Sequence, residues 1–353
     1  MHAAANPRPP LPVTLLTGFL GSGKTTLINH LLRSHPNERI AIVENEFGSV
    51  GIDGSLIRNQ ASIEVIELSN GCVCCSIRGE LTQALQDILA RVDRGDLPVE
   101  RLILETTGLA DPTPIIQTFF VDEIIRARMV LDAVITLVDA YHILPQLDEH
   151  RVASAQIGFA DRIILSKLDL IDAQTKDLIL RRIHKINAKA KIFEAANGAL
   201  PKDAWLDIHA FQLDDGLQLN HGIEHAKSSA LSPHDRGVTP SELQRTQFTI
   251  ATKPQSWNDD IQSYVFEAQE LDLMKLDAFM EALIEQYGND MLRYKGVLAI
   301  HEKEHALIIQ GVHKVVGFDY SDAPIRTRHS LLVIIARPLP YETLKQQFLD
   351  AQV

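Results

Sequence analysis

The sequence predicts an α/β protein, a parallel sheet with helices on both faces, followed by a smaller α+β domain whose sheet is mainly antiparallel. Three observations carry this. Apolar runs of buried-strand length alternate with helical patterns through roughly the first half of the chain. The pattern fades between about Asp207 and Glu242, where Gly, Ser, Asp and His gather. Beyond that gap, β-like runs return with connections short enough for hairpins.

Each element has its own justification. Val13–Thr17 is a β-favouring run ending at Gly18, and helical spacing follows from Lys24 to Leu32. Further buried strands are expected at Ile40–Val43, Ile63–Leu68, Leu102–Leu104, Ala133–Val138 and Arg162–Leu165. Ile77, Leu81, Leu85, Ile88, Leu89 and Val92 fall on one helical face, and Asp172 is placed to cap a helix reaching about Ile186. In the second half, strands are expected at Arg245–Ala251, Ser263–Glu267, Gly296–Ile300, Ala306–Gln310 and Leu331–Ala336. Helices are expected at Lys275–Tyr287 and Tyr341–Ala351. The domain reading is a flexible 1–11, a first domain over 12–210, a linker over 211–242 and a second domain over 243–353.

Composition narrows the function. With 34 basic against 46 acidic residues the net charge is −12, a balance that repels phosphate backbones and argues against nucleic acid as a partner. The longest apolar run, Leu331–Ala336, is far short of a membrane span, and the N-terminus lacks the pattern of a secretory signal, so the cytoplasm is the expected compartment. The three cysteines of the chain, Cys72, Cys74 and Cys75, sit within one four-residue run. A disulfide framework scatters its cysteines; a cluster points to metal or redox chemistry.

The motifs supply the chemistry. Gly18–Thr25, GFLGSGKT, fits the phosphate-binding pattern G-x-x-x-x-G-K-[ST] between a strand and a helix. In such a P-loop, Gly18, Gly21, Ser22 and Gly23 let backbone N–H groups turn toward phosphate oxygens, Lys24 meets the β- and γ-phosphates, and Thr25, followed by Thr26, opens the helix and ligates Mg²⁺. Glu105 closes a buried strand as a Walker B carboxylate would, a candidate for the magnesium shell, and Gly108 is placed to sense the γ-phosphate. Ser166, Lys167 and Asp169 form SKLD, close to the guanine-reading tetrad Asn-Lys-x-Asp, in which Asp169 accepts from the ring N–H and exocyclic amine of guanine. Ser replaces Asn at its first position and removes a bracing amide. Glu44, in ENEFG, and Asp53 are candidates to reach magnesium, to orient water or to complete a thiolate site, three alternatives that the residues alone leave open. The cysteines precede a helix, where thiolates are favoured, and soft thiolates select Zn²⁺, Cu⁺ or Fe–S. Three ligands leave a tetrahedral position open, as suits an ion that must leave. Redox switching and simple packing are the competing readings of the cluster. His301–His305 spells H-E-x-x-H, but flanking β-like runs make it a turn rather than a zinc-protease helix. His209, His221, His225 and His234 are read as polar linker residues.

GFLGSGKTT, ENEFG, GCVCC, ETTGLADP and SKLD together resemble the CobW-type P-loop GTPases, especially their YjiA-like members, and RYKGVL and QGVH extend the resemblance into the second domain. The resemblance implies a P-loop NTPase fold and a GTP-hydrolysing metallochaperone using Mg²⁺ with GTP. It further implies zinc or a similar ion at Cys72, Cys74 and Cys75, Glu44 near that ion, and a client metalloprotein met by the second domain. Ser49 stands where several relatives carry Glu, which removes one candidate ligand. Lys24, Glu44 and Glu105 are the expected catalytic residues. A redox-sensing GTP-binding protein and a small-molecule kinase are the alternatives, and a homo-oligomer is compatible with the sequence.

Overall fold

The computed structural model describes residues 9–44, 63–67, 77–210, 260–325 and 327–353. The first domain is built on seven strands: β1 (Leu11–Gly18), β2 (Ile40–Glu44), β3 (Ile63–Glu67), β4 (Arg101–Glu105), β5 (Met129–Asp139), β6 (Arg162–Ser166) and β7 (Lys191–Glu194). They lie in the order β3-β2-β4-β1-β5-β6-β7, and every pairing is parallel. The continuous apolar runs follow from this, because each central strand is covered on both faces.

Nine α-helices are described across the chain, seven of them in the first domain. Leu27, Ile28, Leu31 and Leu32 of α1 (Lys24–Ser34) bury one face together with Trp205, and Leu81, Leu85, Ile88 and Leu89 of α2 (Ile77–Arg94) bury the other. The remaining helices of this layer are α3 (Thr113–Val121), α4 (Glu123–Arg128), α5 (Ile143–Glu149), α6 (Arg151–Phe159) and α7 (Ala173–Ile186), so the full count in the first domain is seven. Asp172 caps α7 as expected, accepting from the Thr175 N–H at 2.7 Å, and Ile179, Ile183 and Ile186 form its buried stripe. With α8 (Leu273–Tyr287) and α9 (Tyr341–Asp350) of the second domain, nine helices are described in all.

The second sheet runs β11 (Val315–Pro324), β10 (His305–Val312), β9 (Met291–Leu298), β12 (Ser330–Ala336), β8 (Gln262–Ala268), antiparallel throughout. One face carries α8 and α9 over Phe266, Tyr294, Leu332 and Ile334. The other meets α6: a Cβ on Gly158 would lie 3.2 Å from Ile335 and 3.3 Å from Leu292. Arg293 donates to the Phe159 carbonyl and, with Lys295, to Asp161, each contact lying between 2.6 and 3.0 Å.

The structure changes several expectations of detail. β9 begins at Met291 rather than Gly296, because Arg293 and Lys295 break the apolar run while pointing at Asp161. β11 and β7 carry too many polar residues to show as strands in the sequence. Residues 207–210, within the stretch where periodicity fades, still dock on the first sheet: Asp207 pairs with Arg101, and the His209 N–H donates to Asp132 at 2.7 Å. The expected strand at 245–251 lies outside the described residues. Among the described residues, no helix is long and apolar enough to cross a membrane.

Candidate active site

The loop Gly18–Thr25 leaves β1 at the middle of the first sheet and enters α1, which places it over the carboxyl ends of the strands. Gly18, Gly21 and Gly23 take φ of 141°, 72° and 104°, a region that L side chains resist. Gly23 is the N-cap of α1 and no side chain caps that end, so its first N–H groups are available to an anion. Lys24 is buried, and its Nζ donates to the Gly18 carbonyl at 3.0 Å, folding the ammonium over the loop. The Ser22 hydroxyl is buried with no hydrogen-bond partner among the described residues.

Glu105 ends β4, opposite Leu16 of β1. Its Oε1 accepts from the Thr25 hydroxyl at 3.5 Å. Glu44 stands in register with Glu105 on β2. The donor set fits a magnesium nucleotide: a hydroxyl and a carboxylate suit a hard cation, while an unpartnered buried hydroxyl and an uncapped helix end suit phosphate oxygens.

Gly108 is required by close approach, since a Cβ there would sit 2.6 Å from the Leu20 backbone nitrogen. The segment Thr106–Ala110 thus rests directly on the phosphate loop. It is held from behind by Gln156 of α6, which is 1% exposed and donates from Nε2 to the carbonyls of Gly108 and Ala110 at 3.1 and 3.2 Å. Thr106 adds two ties, its hydroxyl to Thr17 and its N–H to the Leu16 carbonyl.

At the other end of the site, the Ser166 hydroxyl donates to the Ser22 carbonyl at 2.7 Å, so the residue that replaces Asn still links this loop to the phosphate loop. Lys167 has φ 57° and donates from Nζ to Asp139 Oδ2 at 2.7 Å, with His142 Nδ1 2.8 Å from the same oxygen. Burial alone would raise the Asp139 carboxyl, but hydrogen bonds from Lys167 and His142, and their charges, hold it below its ordinary value. Asp169 lies exposed in the short 3₁₀ turn Leu168–Leu170. The turn after β7 approaches the backbone of Thr26, which itself stays exposed: a Cβ on Gly198 would be 2.8 Å from the Thr26 carbonyl oxygen.

The structure therefore gathers Gly18, Gly21, Ser22, Gly23, Lys24, Thr25, Glu44, Glu105 and Gly108 at one sheet edge, with Ser166, Lys167 and Asp169 beside them. Asp53, Cys72, Cys74 and Cys75 lie outside the described residues. β3, which precedes the cysteines, ends with Glu67 opposite Glu44. Among the described residues, no group of three or more His, Cys, Asp or Glu could hold a metal ion. His301 turns to Glu270 and His305 to the Ser321 carbonyl across the β9–β10 turn, so they share no face. Of the four His read as linker, His209 is described, and its ring lies 3.9 Å from Asp132; the other three fall outside the described residues. Sequence reading missed Asp139, Gln156 and Gly198. For Asp139 a signal existed, an acid closing the apolar strand β5.

Comparison with known proteins decides the family. Residues 12–194 match the model of the CobW/HypB/UreG nucleotide-binding domain, and residues 261–352 that of the cobalamin synthesis protein CobW C-terminal domain. The chain belongs to the CobW family. The zinc chaperone YjiA of Escherichia coli K12 is 37% identical over 342 residues, covering 96% of this chain and 98% of its own. The zinc chaperone CobW of Pseudomonas aeruginosa is 33% identical, covering 97% and 91%. The zinc-regulated GTPase metalloprotein activator 1 of Schizosaccharomyces pombe is 36% identical over 230 residues, 63% of this chain and 55% of that protein. Among solved structures, the Zn(II)-bound YjiA GTPase from E. coli superposes with a TM-score of 0.73 at 32% identity, over 98% of this chain and all of that one. Family membership agrees with the parallel sheet, the P-loop and the antiparallel second domain described above.

Proposed function

We propose that this CobW-family protein is a slow GTPase that carries zinc and delivers it to client metalloproteins in a nucleotide-dependent way. What supports the reading is one observation: a relative named a zinc chaperone matches the chain almost end to end, through both domains.

The residues suit phosphoryl transfer to water. The water oxygen forms a bond to the γ-phosphorus while the bond to the β,γ-bridging oxygen breaks, and negative charge grows on the leaving diphosphate. The Lys24 ammonium and the loop N–H groups stabilise that charge from fixed positions. Glu44 and Glu105 are assigned to orient the attacking water. Thr25 and Glu105, with Asp53 as a further candidate, would hold Mg²⁺, which when bound neutralises charge on the β- and γ-oxygens. Gly108, seated on Leu20, is assigned to read the γ-phosphate, and Ser166, Lys167 and Asp169 to read guanine.

Zinc is the cargo. Cys72, Cys74 and Cys75, with Glu44, are assigned as its ligands, and the open coordination position lets the ion pass on. Glu44 shares its register with Glu105, so nucleotide state and zinc affinity are coupled through one sheet edge. Coupling is reciprocal: if GTP changes zinc affinity, zinc changes GTP affinity by the same factor. The deciding experiment is an anaerobic zinc titration of the wild type and of Cys74→Ser, each with GDP and with a non-hydrolysable GTP analogue. The reading expects a zinc affinity that depends on the nucleotide and is lost in the variant. Equal affinities with both nucleotides would overturn the coupling.

A further inference from the structure

The second domain has an open groove, of about 830 Å³, between α8 and the edge strand β11. On its floor, Val316, Phe318 and Tyr320 are 39%, 71% and 41% exposed, a concentration of apolar surface unusual for a strand end. Their register places them beside Gly311, Ile309 and Leu307 of β10, on the face that carries α8. β11 is the outermost strand, and among the described residues no strand lies beyond it.

The direction of the edge groups follows from the hairpin. The two-residue turn His313–Lys314 makes Val312 and Val315 the closing hydrogen-bonded pair, and alternation then turns the backbone N–H and C=O of Val316, Phe318 and Tyr320 away from β10. The Tyr320 N–H agrees, donating to the Asp319 carboxylate at 2.8 Å instead of to a strand. A helix lying alongside an edge strand with apolar side chains between them is a geometry that accepts an added strand.

The wall of the groove specifies the occupant. Asp277, Glu281 and Glu285 line it from α8, and all three are exposed. Four-residue steps space these carboxylates about 6 Å apart along the helix. Alternate side chains of an extended chain repeat at about 6.7 Å, close enough for consecutive basic side chains to meet consecutive carboxylates. Those side chains would cross the rings of Phe318 and Tyr320, a favourable path for Arg or Lys. The cation that lines the groove, Lys314, sits at its hairpin end.

We propose that β11 and α8 bind an extended segment of a partner polypeptide, with Lys or Arg at alternate positions, which adds to the second sheet as a sixth strand. The assignment is independent of the nucleotide chemistry.

The test uses the full chain and a heptapeptide of alternating arginine and valine, followed by calorimetry and by amide hydrogen exchange. Two control peptides have the same composition, one in block order and one N-methylated on the backbone amides that would face β11. The expected result is binding that slows exchange at Val316 and Phe318. Binding should weaken by at least about tenfold with the N-methylated peptide, in Phe318→Ser and in the double variant Asp277→Lys, Glu281→Lys. Unchanged amide exchange protection of the buried strands β9 and β12 in these variants shows that the second domain is folded. Equal affinity for all three peptides would reduce the effect to net charge and overturn the proposal. Full protection of the β11 amides without peptide would also overturn it, since the edge would already be covered by another part of the chain or by a second copy. Absence of binding overturns it as well.

Discussion

Glu44 and Glu105 stand directly opposite each other on neighbouring parallel strands, at the carboxyl edge of the first sheet. Like charges in register oppose one another, and strands tolerate them where a cation or donor relieves the pair. Glu105 has the Thr25 hydroxyl. Glu44 lies one strand further from the phosphate loop and one strand nearer to β3, whose chain continues to the cysteines.

That placement separates the two carboxylates by experiment. Glu105→Gln should lower GTP hydrolysis by about 10²-fold and raise the magnesium concentration needed for GTP binding, as removal of a preorganised charge does elsewhere. Glu44→Gln should leave the magnesium requirement within about twofold while weakening zinc binding. Magnesium titrations of GTP binding, paired with zinc titrations, check both variants.

The SKLD loop, assigned above to the base, gives a second pair. Asp169→Asn should shift the preference from GTP toward xanthosine triphosphate, whose C2 carbonyl accepts from an amide where guanine offers an amine, with a loss for GTP of at least about 10²-fold. Asp139→Asn should behave differently, because Asp139 touches Lys167 rather than being placed to read the base. Affinity for guanine and xanthine nucleotides should fall together, several-fold, with selectivity unchanged. Competition binding with the two nucleotides distinguishes a reading residue from a positioning one.

Much of this was legible in the sequence where one physical rule governed a segment. β1, β2, β4, β5 and β6 are apolar because both their faces are buried, and the phosphate loop is fixed by the need for backbone N–H groups. β11 was not legible, since an edge strand with one open face keeps Asp319 and Tyr320 and shows no continuous apolar run. The start of β9 was hidden because Arg293 and Lys295 look like a loop until Asp161, more than a hundred residues earlier, supplies their counter-charge. Gln156 was silent for a similar reason: its value lies in the carbonyls of Gly108 and Ala110, which local pattern cannot place.

Gln156 supports the segment that the proposed function assigns to the γ-phosphate, so its loss should appear in turnover. Gln156→Ala leaves the buried Gly108 carbonyl and the half-buried Ala110 carbonyl without this donor, a cost of about 1–3 kcal/mol for a buried group. Hydrolysis should fall about five- to tenfold at saturating GTP, a loss of about 1–1.4 kcal/mol in the barrier. GDP affinity should stay within about twofold, since GDP lacks the phosphate that Gly108 is assigned to read. Single-turnover hydrolysis and GDP titration check the split, and equal losses in both would make Gln156 a general support of the fold.

The contact between the domains turns on Asp161. Burial by itself would raise its carboxyl, but the charges of Arg293 and Lys295 and the hydrogen bonds from Arg293 and the Val134 N–H hold it below the ordinary value of 3.8. On the partner side, burial and the Arg293 charge lower Lys295 to about 8 against the pull of Asp161. A carboxyl depressed in the folded protein contributes stability that is present above pH 3.8 and is lost as pH falls through its folded value. Asp161→Asn leaves two cations facing each other at a buried contact and should cost about 3–5 kcal/mol near neutral pH. As pH falls from 3.8 toward the lower folded value the gap should narrow, because the unfolded wild type takes up its proton first and the folded carboxylate follows only at lower pH. Urea unfolding of both proteins between pH 7 and pH 3 measures it; a gap that stays constant with pH would mean that shape, not charge, holds this contact together.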